Sequence, residues 1–550
     1  MTNKEYADFL LPNVEHDMDY YVQKYPKRDL SEGAIVTRIA PSPTGFVHIG
    51  SLFQAFVVKK LASQSNGVAY MRIEDTDQKR MIDDGINLMI DSLKAYDVEF
   101  DECPMNETES KGIYGPYIQS QRKDIYQAFA KYLIENEMAY PSFASPEDLD
   151  YIRKQQEARK MPLGYYGSWA KDRFLSQEEV LQKIEAGTPF VIRLKSPGDH
   201  NNVRIYEDCI RGEIRFPEND IDEVIIKSDG LPTYHFAHFV DDYLMRTTHV
   251  LRGEEWLSSL PKHIQIFEMF EVTPPKYVHT ALLQKEEDGK RRKISKRKDI
   301  EADVMFYKEK GIPVPAVKTY LFTVANSNFE EWKDANPDKN ENEFELTFER
   351  MNNSGALFDL EKITNLSKNY LSTLTAEEVY HNLCDWAYVY DIDFYNLIKA
   401  HEDITIATLN IERESAKPRK DFAAYSEIKS HIWYMFSELF DKDTSEYEWQ
   451  KITDLAEIKH VLNTYINEYY EETDDQETWF HKVKELCDSL GYASNMKEYK
   501  KNPESFKGNV ADISTIIRVA VTKRAQTPNL YDILTILDKE EILRRIELIK

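Results

Sequence analysis

The chain reads as an α/β protein whose parallel sheet is interrupted by an insertion and followed by a long helical region. Three observations predict this. Strand-like and helix-like stretches alternate from Ala34, with strands at 34–39, 68–73 and 98–100 and helices at 51–63 and 81–95, the pattern of parallel strands joined by covering helices. After Gly112 the pattern changes to long polar helices at 121–137 and 146–159 and a strand-like run at 189–195, before sheet character returns at Val224. From about Glu301 helices dominate to Lys550, as in one or two bundles.

Each element has a local reason. The helix from Ser51 is apolar on most faces, with Leu52, Phe53, Ala55, Phe56, Val57, Val58 and Leu61, as expected of one packed between a sheet and a neighbouring element. Ligands of such sheets sit beyond the carboxyl ends of strands at a switch point, which is where residues 38–51 fall. Pro313 and Pro315 mark a turn, 326–343 is an acidic polar loop, and regular structure restarts at 346–360. The segment before Ala34, with Tyr20-Tyr21-Val-Gln-Lys-Tyr25, is expected to be a helix packed on the sheet.

With 550 residues and 42% hydrophobic content the chain has material for several cores, and three or four domains are expected. No apolar run reaches about 18 residues, and the start Met1-Thr-Asn-Lys-Glu-Tyr-Ala-Asp lacks signal or transit character; a cytoplasmic protein with no membrane partner is expected. Cys103, Cys209, Cys384 and Cys487 form no C-x-x-C pair, so they are expected to be small buried hydrophobes. The net charge of −26 argues globally against nucleic acid. Local charge differs, since 285–298 holds eight Lys or Arg, with smaller basic islands at 417–420 and 518–524. Composition leaves open both an RNA binder with selective repulsion elsewhere and an acidic enzyme with ordinary charged faces.

Two stretches carry the chemistry. Arg38-Ile-Ala-Pro-Ser-Pro-Thr-Gly-Phe-Val-His-Ile-Gly-Ser51 ends a predicted strand and opens a helix, so small residues and His48 stand where backbone N–H groups meet an anion. Lys293-Ile-Ser-Lys-Arg297 supplies mobile cations. Together they describe the handling of ATP phosphates. Each alone is a weak signal; their order, spacing and flanks give them weight.

Further stretches are Arg72-Ile-Glu-Asp-Thr-Asp77, Gly115-Pro-Tyr117 with Gln119-Ser120, Val191-Ile-Arg-Leu-Lys195, Lys227-Ser-Asp-Gly-Leu-Pro-Thr-Tyr234, Arg252-Gly-Glu-Glu-Trp256 and Asn353-Ser-Gly-Ala-Leu357. In this order, and over nearly the whole chain, the set resembles the bacterial-type glutamyl-tRNA synthetases of class I. The resemblance implies a Rossmann-type parallel sheet split by an inserted acceptor-binding domain, followed by a helical anticodon-binding region. It divides the chain into an extension at 1–33, sheet halves at 34–113 and 236–300, the insertion at 114–235, a stem-contact domain at 301–370 and the anticodon-binding domain at 371–550.

The implied activity is two-step: glutamate attacks the α-phosphate of ATP, then the terminal adenosine of tRNA takes the acyl group. Implied partners are ATP with Mg2+, L-glutamate, tRNA(Glu) and, in a non-discriminating form, tRNA(Gln), with the enzyme a monomer. By the same resemblance His48, Gly50 and Ser51 hold ATP, Lys293 and Lys296 meet the charge building toward pyrophosphate, and Ser295, Arg297 and Glu255 join the nucleotide site. Arg38 and Arg252 pair with substrate carboxylates. Ser42 and Glu74 receive the ammonium, Tyr234 donates to a carboxylate, Trp256 lines the pocket, and Ala40 and His238 complete its wall. His238 departs from the asparagine many relatives have.

Asp75 and Asp77 permit a metal site, but Asp between a strand and a helix more often caps N–H groups. No protein-bound metal is expected. Where some relatives carry zinc-binding cysteines, this chain has Ser142, Ala144 and Trp169, so no structural zinc is expected and ordinary packing must hold the insertion. A glutaminyl-tRNA synthetase is disfavoured by Ala40-Pro-Ser-Pro-Thr-Gly45 and Arg252, and a truncated tRNA-modifying paralogue or a small nucleotidyltransferase by the long helical region. A non-catalytic tRNA-binding regulator is disfavoured by His48, Arg252, Lys293 and Lys296 standing together.

Overall fold

The computed structural model describes residues 1–43, 45–77, 81–295 and 297–550. The chain forms two compact units, residues 1–306 with 318–360 and residues 307–317 with 361–550.

The first unit begins with two short helices, α1 (Asn3–Leu10) and α2 (Met18–Lys24). Thr2 and Glu5 close a capping box on α1. The extension was expected as one helix on the sheet; it is instead two helices seated on a later helix, α5. Leu10, Leu11, Tyr21 and Tyr25 share an apolar cluster with Ile125, Phe129 and Leu133 of α5. That helix is buried on nearly every side, so its outer face needs a cover, and α1 and α2 supply it.

Strand β1 (Val36–Ile39), helix α3 (Ile49–Gln64), strand β2 (Val68–Met71) and helix α4 (Gly85–Lys94) follow as the alternation predicts. β1 and β2 are parallel, in register from Val36–Val68 to Ile39–Met71. Residues 98–100 are not a strand. The Asp101 carboxylate takes the Ala69 N–H at 2.8 Å, and backbone pairing begins only at Asp101, whose N donates to Ala69 O at 2.9 Å, and continues with Met71 N donating to Glu102 O. A small hairpin, β3 (Cys103–Pro104) and β4 (Ser110–Lys111), comes next.

The insertion contributes α5 (Lys123–Glu135), β5 (Ala139–Ser142), α6 (Pro146–Ala158), α7 (Gln177–Glu185), β6 (Val191–Leu194), β7 (Val203–Asp208), β8 (Gly212–Pro217) and β9 (Val224–Ile226). β5, β6 and β9 form its own antiparallel sheet. The hairpin β7–β8 does not join them. After α8 (Tyr234–Leu244), β10 (His249–Gly253), α9 (Leu260–Met269) and β11 (Lys276–Thr280), the sheet order is β10-β11-β7-β8, so residues 203–217 extend the nucleotide-type sheet although they lie inside the insertion by sequence. β10 in turn lies beside β1, where Thr248 N donates to Val36 O at 2.9 Å. Finally β12 (Leu283–Glu287) and β13 (Lys290–Lys293) make a hairpin to which β14 (Ala356–Leu357) adds in parallel.

The second unit is helical and holds two apolar clusters, one built from Leu371 to Phe436 and one from Ile411 to Ile549. Of its basic islands, that at 518–524 is largely internal bracing, whereas Lys417 and Lys420 are exposed. Lys523 is 7% exposed and donates to the backbone of Phe440 and Asp443, Arg518 bonds Thr527 and Pro528 carbonyls, and Arg524 pairs with Glu448. Among the described residues no helix is long and apolar enough to cross a membrane.

Candidate functional site

A cavity of about 350 Å³ opens at the carboxyl ends of β1, β2, β10 and β11, where neighbouring loops diverge. Arg38, Ala40, Ser42, His48, Gly50, Ser51, Glu74, Tyr234, Arg252, Glu255, Trp256 and Lys293 all line it. Their sequence separation is large, and the sheet brings them together. Of the other predicted site residues, His238, Ser295 and Arg297 are not among the lining, and Lys296 lies outside the described residues.

His48 is the N-cap of α3, and its Nδ1 accepts from Gly50 N at 2.9 Å. That bond fixes the neutral tautomer, with the ring proton on Nε2. A Cβ at Gly50 would lie 3.1 Å from His48 Nδ1, so a side chain there would push on the capping ring. The tip of α3 thus enters the cavity with His48, Gly50 and Ser51; its Gly50 N–H is taken by His48 Nδ1 and its Ser51 and Leu52 N–H groups by His48 O at 2.8 and 3.0 Å, so what it offers an anion is its dipole and the His48 Nε2–H.

Lys293 ends β13, and its Nζ donates to Glu255 Oε1 at 2.7 Å. The loop that follows is tied at both ends. Arg292 bonds Asp299 through Nη1 at 2.6 Å and Nη2 at 2.7 Å, and Asp299 Oδ2 accepts Ser295 N at 2.9 Å. These hydrogen bonds from Arg292 hold the Asp299 carboxyl well below the usual carboxylate range. Ser295 thus shapes the loop through its backbone, and Arg297 stands exposed in the turn.

Beneath the cavity runs a chain of buried charges. Arg38 donates to Asp242 through Nε at 3.0 Å and Nη2 at 3.2 Å. Arg72 donates to Asp242 Oδ1 at 2.9 Å and to Glu74 Oε1 at 3.3 Å, and its Nε lies 3.3 Å from Asp241. Asp241 accepts from Arg122 Nε at 2.7 Å, Gln119 at 2.9 Å and Tyr126 at 2.9 Å. Burial pushes the Asp242 carboxyl up, but the Arg38 and Arg72 guanidiniums outweigh it and hold it well below its ordinary value. Burial likewise raises Glu74, to about 7, despite the arginines beside it.

Arg252 stands apart from this chain. Its Nε donates to His279 Nε2 at 2.9 Å and its Nη1 to His263 Nδ1 at 2.8 Å, while Nη2 has no hydrogen-bond partner among the described residues. Tyr234 and Trp256 pack with ring centroids 4.4 Å apart and form one wall. His238 is a correction. It is fully buried, with Nδ1 2.9 Å from Asp242 and Nε2 3.1 Å from the Tyr277 hydroxyl, so it does not reach the cavity and acts only through Asp242 and Arg38. Burial lowers its imidazole to about 3.

The sequence reading passed over Asp241, Asp242, Arg122, His263 and His279. One signal was available: Tyr234, His238 and Asp242 recur every fourth residue on α8, one face of a helix. Asp75 Oδ1 accepts Ser120 N at 2.7 Å, so it does cap an N–H group, though of the turn at 119–122 rather than the next helix in sequence. In the insertion, Ser142 Oγ and Phe143 N both bond Asp172, and Ala144 and Trp169 pack against a small cluster of Tyr140, Ile152, Tyr165 and Ala170.

Residues 34–365 match the family model "tRNA synthetases class I (E and Q), catalytic domain", and residues 413–549 match an anticodon binding domain. The chain belongs to the class I tRNA synthetase family for glutamate and glutamine. Within it, the chain is 47% identical over 548 residues to the glutamate–tRNA ligase of Clostridium beijerinckii, covering 100% of this chain and 99% of that one. It is 46% identical over 551 residues to that of Acetivibrio thermocellus, covering 100% of both. A glutamate tRNA ligase from Elizabethkingia meningosepticum, solved in complex with its amino acid, shares the fold at a TM-score of 0.73 and 24% identity, over 94% of this chain and 100% of that one.

Asp241→Asn removes the charge that Arg72 and Arg122 share inside the unit. It is expected to cost about 3–5 kcal/mol, read as a lowered unfolding transition in calorimetry; an unchanged transition would show that the buried chain is not what holds this region.

Proposed function

We propose that this chain joins L-glutamate to tRNA(Glu) in two steps driven by ATP. One observation carries the proposal: a histidine-capped helix tip and a lysine face the same cavity as a buried arginine that lacks a carboxylate partner among the described residues. Such a cavity suits a substrate that is anionic at both ends.

In this reading the α3 tip, with His48, Gly50 and Ser51, holds the phosphates of ATP, and Mg2+ arrives with the nucleotide. His48 donates from Nε2. Lys293 exchanges Glu255 for the phosphate chain as charge builds toward pyrophosphate, with Lys296, Ser295 and Arg297 on the same loop. The glutamate ammonium meets Glu74 and Ser42. Arg252 takes the side-chain carboxylate, with Tyr234 donating beside it, and Arg38 supplies its remaining donors to the α-carboxylate side. Ala40 and Trp256 complete the walls. The reaction needs no protein nucleophile: the α-carboxylate attacks the α-phosphate in line, pyrophosphate leaves, and the terminal ribose hydroxyl of tRNA then displaces AMP from the acyl group.

Residues 114–235 would take the acceptor end, 301–370 the stem and 371–550 the anticodon, in a cytoplasmic monomer. A second form of the reading, in which tRNA(Gln) is charged as well, differs only in how the helical unit reads the anticodon. Charging purified tRNA(Glu) and tRNA(Gln) with radiolabelled glutamate decides between them, and labelling of neither would refute the proposal.

Lys293→Ala is expected to lower kcat by about 10²–10³ while leaving tRNA affinity unchanged in filter binding. An unaltered kcat would remove Lys293 from the reaction. Because burial raises Glu74 to about 7, its carboxylate is protonated below that pH and cannot receive the ammonium. KM for glutamate should therefore fall as pH rises through about 7 and level off above it, and Glu74→Gln should abolish the inflection.

A further inference from the structure

The two arginines of the cavity are held in opposite ways. Arg38 is paired directly with the Asp242 carboxylate, which it shares with Arg72. Arg252 is only 5% exposed, yet among the described residues no carboxylate lies within 4.0 Å of its nitrogens. Its bonded neighbours are imidazoles, His279 Nε2 at 2.9 Å and His263 Nδ1 at 2.8 Å.

A guanidinium has only donors, so both of these ring nitrogens must present lone pairs. The tautomers follow. His279 carries its proton on Nδ1 and donates to Asp208 Oδ2 at 2.7 Å; His263 carries its proton on Nε2 and donates to His235 Nδ1 at 2.9 Å. A second proton on either ring would set N–H against N–H at less than 3 Å, so both rings stay neutral. Burial favours the same state for each. Asp208 comes from hairpin β7–β8, which explains why that hairpin docks on β11 beside His279. Arg252 is thereby fixed in direction by two neutral acceptors, with the Asp208 carboxylate held behind His279 rather than against the guanidinium.

We propose that His263 and His279 are positioning residues that set substrate charge selectivity, holding Arg252 without neutralising it so that the site distinguishes a side-chain carboxylate from its amide. This rests on the function proposed above and deepens it. An acidic neighbour in place of either ring would pair with Arg252, and an incoming carboxylate would meet a neutral pair instead of a bare cation.

The test contrasts two nearly isosteric variants. His263→Asn and His263→Asp both place an oxygen near the position of Nδ1 and both lose the bond to His235, so they differ by one charge. For each, kcat/KM is measured with glutamate and with glutamine. The Asn variant is expected to keep the wild-type glutamate-to-glutamine ratio within about threefold, and the Asp variant to lower it at least about tenfold, through a raised KM for glutamate with the glutamine value unchanged. Equal ratios in the two variants would overturn the proposal. If His263→Asp does not fold, the pair His279→Gln and His279→Glu, each combined with Asp208→Asn, makes the same one-charge contrast at Nε2. A wild-type enzyme that charges no glutamate would instead refute the proposed function, which keeps the two failures distinct.

Discussion

The first unit depends on a row of buried ion pairs running Arg38, Asp242, Arg72, Asp241, Arg122. Desolvating five charges is expensive, and only dense hydrogen bonding offsets it. The row is therefore also a set of geometric constraints. It ties β1, β2, the turn at 119–122 and α8 to one another, so the loops that leave the carboxyl ends of those strands start from fixed points. A purely apolar core of equal volume would pack as well but would leave Arg38 and Glu74 without anchors.

The consequence is a cavity with graded charge. At one end the dipole of α3, with the His48 ring at its tip, meets anions. At the other, Arg252 is steadied by neutral rings. Between them Glu74, raised to about 7 by burial, offers a carboxyl acceptor for a cation. An amino acid with two carboxylates and an ammonium, lying beside a polyphosphate, fits that order of charges. The protein's large negative net charge is no obstacle, since the cations that matter are internal or cluster on the loop after β13.

Much of this was legible beforehand. The strand-turn-helix at 34–64 was readable because an apolar strand, a run of small residues and an apolar helix each have a local cause, and the lining residues clustered in motifs whose order matched a known family. The extension was misplaced because amphipathicity says that a helix needs a cover and not which surface provides it. The strand expected at 98–100 failed because one carboxylate took a backbone donor, a competition that propensity does not register. His238 was given to the substrate because its neighbours in sequence line the cavity, while its side chain turns under them.

The sequence by itself determined the class of chemistry, since the strand-to-helix turn with His48 and the lysine loop, each a weak signal alone, stand in an order and spacing that together describe phosphate handling. Tertiary structure alone decided which cations remain available to a substrate. Pairing is a matter of which side chains meet in space, across 204 positions for Arg38 and Asp242 and across 11 and 27 for Arg252 with His263 and His279, and no local pattern shows that Arg38 finds an aspartate while Arg252 finds two histidines.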